Sequence, residues 1–91
     1  MNITVLALID RAECALADAM LADEVLDSAL DHAARRLQAA ARFDEGVTLL
    51  AIHILRDIAA ETDDEIRRDV CTLSAEILER AKRVQDRPMS H

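Results

Sequence analysis

Apolar residues recur through the first half of the chain at the three- and four-residue spacing of an α-helix. At about 100° per residue, Val5, Leu6, Leu8, Ile9, Ala12, Leu16, Ala19 and Met20 share one broad face. Leu26, Ala29, Leu30, Ala33, Leu37 and Ala40 repeat the pattern further on. In heptad terms Ile9, Leu16, Leu30 and Leu37 keep one register, interrupted by Asp23, while Val5, Ala12, Ala19, Leu26, Ala33 and Ala40 keep the other. Large residues then stand opposite small ones, which lets helices approach closely. Neither Gly nor Pro occurs from Ile3 to Phe43, so the pattern permits a single helix of roughly 60 Å at 1.5 Å per residue. It equally permits two helices with a break near Ala22–Asp23, Asp23 then serving as a cap.

Asp44-Glu45-Gly46 is the strongest turn signal in the chain. A helix is predicted after it, from Val47 to Ala60, with Val47, Leu50, Ala51, Ile54, Leu55 and Ile58 on its main face and Leu49 and Ile52 off that face. Thr62-Asp63-Asp64-Glu65 has the form of a capping box, with Thr62 as N-cap and Glu65 three positions on. It introduces a last helix with a stripe of Ile66, Val70, Leu73, Ile77, Ala81 and Val84 and favourably ordered Glu76–Arg80 and Glu79–Arg83 pairs. Pro88 ends it, leaving residues 88–91 as a disordered tail to a single domain over residues 1–87.

The predicted fold is therefore all-α: a bundle of three to four antiparallel helices. Its two versions are a compact four-helix bundle and a long helical hairpin turning at residues 44–46 and completed by dimerisation. Composition favours the second. Of 91 residues 17 are Ala and only Phe43 is aromatic, so a monomer of this size would have a thin core, and a homodimer is expected. The same composition excludes β-sandwiches and barrels, a Gly-rich phosphate loop (Gly46 is the one glycine) and aromatic stacking platforms.

Eighteen acidic residues against ten Arg and one Lys give a net charge of −7. That field repels nucleic acid and anionic lipid and suits a basic partner protein. The Arg-for-Lys and Ala bias is that of GC-rich bacterial or phage coding sequences. No signal peptide or membrane-length apolar run is read, and Cys14 and Cys71, 57 positions apart, form no CxxC. A cytoplasmic protein with reduced thiols is expected.

His53 draws attention because Asp57 and Glu61 follow at i+4 and i+8, a stripe able to orient an imidazole or hold a cation. No Glu-x-x-His motif of a di-metal bundle occurs, and no nucleophile–base pair stands out. No catalytic, cofactor or metal residues are therefore assigned. The ladder Asp23, Asp27 and Asp31 places like charges at i+4, mildly destabilising unless used. Arg35, Arg36 and Arg42, and Arg80, Lys82, Arg83 and Arg87, are read as the basic ends of helices. The leading expectation is a non-enzymatic acidic interaction module, an adaptor, regulator or inhibitor of a basic protein. Its contact residues would come from Asp23, Asp27, Asp31, Leu49, Ile52, His53 and Asp57. The alternatives are a nucleic-acid-mimicking inhibitor, an RNA-binding dimer using the Arg-rich helix ends, and a metal-binding bundle using His53.

Overall fold

The computed structural model describes residues 4–22, 24–40 and 44–86, and these contain four helices and no strand: α1 (Val5–Leu21), α2 (Leu26–Ala40), α3 (Glu45–Glu61) and α4 (Glu65–Asp86). The all-α bundle read from periodicity is the fold, in its four-helix form. Asp23, residues 41–43 and residues 87–91 lie outside the described residues, and with them the expected tail and the residues Arg42, Phe43 and Arg87.

The first half divides because one straight helix would strand its apolar stripe. The stripe of α1 (Leu8, Ala12, Leu16, Ala19) ends where Ala22 turns to extended backbone, φ −77° and ψ 138°. α2 returns alongside α1 and sets Ala29, Leu30, Ala33, Ala34 and Leu37 against that stripe. Nothing in the local sequence breaks a helix there, so tertiary packing overrides propensity. Val25, immediately before α2, accepts the Ala29 N–H at 2.9 Å through its carbonyl, and Asp23, the expected cap, lies outside the described residues. Thr4 caps α1, its Oγ1 accepting the Ala7 N–H at 3.1 Å.

Two further boundaries differ from the sequence reading. Gly46 lies in the first turn of α3, not in a turn of the chain, and Asp44 is the N-cap. The α4 cap is Asp64, whose Oδ1 accepts from Ile66 N at 3.0 Å and Arg67 N at 3.3 Å. Thr62 instead ends α3 and accepts the Asp64 N–H at 3.2 Å. An aspartate immediately before the helix reaches the second and third free amides with its own carboxylate, so the capping box is not needed.

α1 pairs with α2 and α3 with α4 as two short-linked antiparallel hairpins. α1 and α4 pack on each other and on both remaining helices, whereas α2 and α3 make no contact among the described residues. The long hairpin about residues 44–46 is thus not formed, since the helices joined there lie apart. One apolar cluster joins all four helices, and eight of its 17 buried members are alanines, which is how so few large side chains close a core. The radius of gyration, 12.8 Å, is close to the roughly 12 Å of a compact chain of this length. The core therefore closes within one chain.

The α3 face is rotated from its predicted setting. Thr48, Ala51, Ile52 and Leu55 are buried, while Leu49 and Leu50 are half-exposed. Thr48 enters the core because its hydroxyl donates to the Asp44 carbonyl at 2.9 Å. Ile52, expected as a partner contact, is only 7 % exposed and belongs to the monomer core. On α4 the buried line is Cys71, Ser74, Ala75, Ile77, Leu78 and Ala81. Ile66, expected on the apolar stripe, is exposed.

Two substitutions test this packing. Gly46 has ordinary helical φ, and an added Cβ would meet only the exposed Asp44 carboxylate at 3.1 Å. Gly46→Ala should raise stability by about 0.5–1 kcal/mol in urea denaturation. The Ser74 hydroxyl is fully buried with no hydrogen-bond partner among the described residues. Removing it as Ser74→Ala should stabilise by about 1 kcal/mol, and a lowered denaturation midpoint would refute that expectation.

Candidate interaction surface

Arg80 binds α4 to the start of α2. Its side chain, 18 % exposed, donates from Nη2 to Asp27 Oδ1 at 2.7 Å and from Nη1 to Asp31 Oδ1 at 2.7 Å. Nη1 also reaches the Asp27 carbonyl at 3.0 Å, and Nε reaches Glu76 Oε1 at 3.0 Å. The hydrogen bonds to Asp27 and then Asp31 hold the guanidinium protonated far above its ordinary range. The acidic ladder and the basic end of α4 therefore meet, and separate acidic and basic poles do not form here. Arg83 reaches Glu76 at 3.7 Å and Lys82 reaches Glu45 at 3.5 Å. Arg35 and Arg36 precede the last turn of α2, which holds no basic residue.

Asp27 and Asp31 nonetheless remain 76 % and 53 % exposed. Asp23, the third member of the predicted ladder, lies outside the described residues. Among the described residues three carboxylates (Asp27, Asp31 and Glu76) share two guanidinium groups, an excess of one negative charge.

On α3, His53 Nε2 lies 3.3 Å from Asp57 Oδ2, both well exposed. Among the described residues no three of His, Cys, Asp and Glu gather as metal ligands. Leu49, His53 and Asp57 thus line an open edge of α3, from which Ile52 is withdrawn into the core. A second ion pair of α3, Arg56 to Glu79 at 2.7 Å, ties it to α4.

Sequence reasoning allowed a break between α1 and α2 as one of two alternatives but missed the apolar residues exposed at it. Met20, Leu21, Val25 and Leu26 are exposed there by 60, 86, 75 and 47 %. Helical spacing alone puts Met20 and Leu26 on core faces. Both fall in end turns, where the packed helices no longer cover them. His32 Nδ1 meets Glu24 Oε2 at 2.8 Å across the first turns of α2. No helical spacing signals this pair, because Glu24 precedes the helix. Beneath it a cleft of about 20 Å³ is lined by alanines of α1 and α2 with Glu24, His32 and Arg36. That is room for a water molecule, against the ~300 Å³ or more of an organic ligand site.

Cys71 is buried and Cys14 exposed, both as free thiols. Burial pushes the Cys71 thiol up, with Glu13 adding to the effect and Arg67 opposing it. This is the reverse of what a nucleophilic cysteine requires. No helix of the described residues is long and apolar enough to cross a membrane. Compared with protein-family models, curated proteins and solved structures, the chain matches none.

Arg80→Met keeps the aliphatic stem and removes every polar contact of the clamp. It should destabilise the fold by about 1–2 kcal/mol, kept modest by the exposure of Asp27 and Asp31. A double-mutant cycle with Asp31→Asn should return a coupling of about 0.5 kcal/mol or more. Zero coupling would remove the clamp from the energetics.

Proposed function

We propose that the protein is a small acidic, non-enzymatic interaction module that acts by binding a basic protein partner. The observation that carries the reading is the set of large apolar side chains left exposed by a core that is otherwise closed, at the α1–α2 reversal and at Leu49 and Leu50 of α3. Exposed apolar surface rimmed by polar groups is a mark of protein contact sites. The net charge of −7 sets the sign of the partner. Asp27 and Asp31 keep exposed carboxylate surface despite Arg80. The RNA-binding alternative has weaker support, because Arg80, Lys82 and Arg83 each stand within ion-pair distance of a carboxylate.

Homodimerisation is a second reading, favoured by the adjacent half-exposed Leu49 and Leu50 on one helix. It makes that edge of α3, with His53 and Asp57 beside it, a contact between copies. Sedimentation equilibrium distinguishes it, and Leu49→Ser/Leu50→Ser should then dissociate the dimer. The leading reading is tested by affinity capture from cells that express the protein, with mass spectrometry. Proteins of high isoelectric point should be retained at low salt and released as salt rises. Retention of nucleic acid alone, or of no specific protein, would overturn it.

A further inference from the structure

We infer that the α1–α2 reversal is the docking surface, and that its occupant is a cationic amphipathic helix of another protein. The inference rests on the interaction reading above and gives it a place and a partner chemistry. Met20 and Leu21 at the end of α1 and Val25 and Leu26 at the start of α2 are all exposed. Full burial of one such side chain is worth roughly 1.5–3 kcal/mol, so covering the four offsets the ordering of a short helix.

The charges around the patch choose between occupants. The exposed charged residues nearest to it along the chain are Asp18, Glu24, Asp27 and Asp31, all acidic. Going back along α1, the first cation is Arg11, about 15 Å from Leu21 at the helical rise. Going forward along α2, the first are Arg35 and Arg36, and Arg36 lines the small cleft beneath the patch together with Glu24 and His32, one cation against the carboxylates of the rim. His32 is held by Glu24, and from α4 Arg80 is engaged by Asp27, Asp31 and Glu76 while Arg83 stands 3.7 Å from Glu76.

A two-fold contact between copies would set this acidic rim against itself, with a net charge of −7 on each chain. An anionic lipid surface is repelled for the same reason. A helix with an apolar stripe and flanking Lys or Arg satisfies both the patch and its rim, the helix-on-groove mode of recognition. The Leu49–Leu50 edge has no comparable rim, since Lys82 reaches Glu45 beside it.

The probe is a fluorescein-labelled synthetic leucine–lysine peptide patterned as an amphipathic helix, beside one of identical composition with the pattern scrambled. Anisotropy should show the patterned peptide binding about tenfold tighter or more, weakening with salt. Amide shifts in NMR titration should centre on residues 18–32. Leu21→Ser/Val25→Ser, at two outward-facing positions, should reduce affinity about tenfold or more with the melting curve unchanged, while Ile66→Ser, at another exposed apolar position, should not.

Equal binding of both peptides, absence of binding, or shifts centred on α3 would overturn the assignment. So would corner amides that shift with protein concentration alone, because a second copy would then be the occupant. The double variant carried through the capture experiment separates the two claims. A basic partner retained equally by wild type and variant removes the docking surface but leaves the interaction reading intact. No basic partner with either overturns that reading itself.

Discussion

Close approach of helices through alanine is the constraint on which the other features depend. With a single aromatic residue in the chain, the core has no large plates to span gaps between helices. Alanines at 12, 19, 29, 33, 34, 51, 75 and 81 bring backbones near enough for Leu8, Leu16, Leu30, Leu37, Leu55, Ile77 and Leu78 to interdigitate. The division of the first half into α1 and α2 follows from this, because each alanine stripe needs a facing helix. The buried hydroxyls follow too. Thr48 and Ser74 are small enough to occupy contact positions, and only Thr48 recovers a partner for its oxygen.

Arg80 is the polar counterpart of that packing. A guanidinium with three carboxylate partners and a carbonyl fixes how the second hairpin sits on the first. It also turns a run of like charges on α2, unfavourable within the isolated helix, into part of a tertiary contact. The aspartates therefore serve the fold first and any partner second. What they still present to solvent is the charge that one arginine does not neutralise.

The helical class and most core alanines were legible from spacing, since a 3.6-residue pattern needs only local information, whereas one helix or two over residues 3–43 stayed open because no local residue breaks the pattern there. Element ends were less so. Asp64 displaced Thr62 as a cap by one short hydrogen-bonding geometry over another, and Gly46 read as a turn although its φ is helical. Ile52 and Leu50 exchanged inside and outside because the setting of α3 is decided by which helices it touches, not by its own wheel. The Arg80 clamp joins positions 49 and 53 residues apart, and the Glu24–His32 pair crosses a helix start. Neither leaves a periodic trace. The exposed corner was hidden for a related reason: Met20 and Leu26 fit their stripes, and only the reversal between them shows that the stripes end uncovered.

The separation of α2 from α3 has a consequence for how the chain reaches this structure. Each hairpin joins neighbours in sequence and closes only a short loop. The Arg80 bonds between hairpins span 49 and 53 residues, and loop-closure entropy rises with that length. Local pairs of this kind form before distant ones. The two hairpins are therefore expected to come first, with the seating of Arg80 among the aspartates a late event. Interactions that form late stabilise the finished protein chiefly by slowing its unfolding. On that order the clamp would act as a latch on the lifetime of the folded state more than as a guide on the way to it.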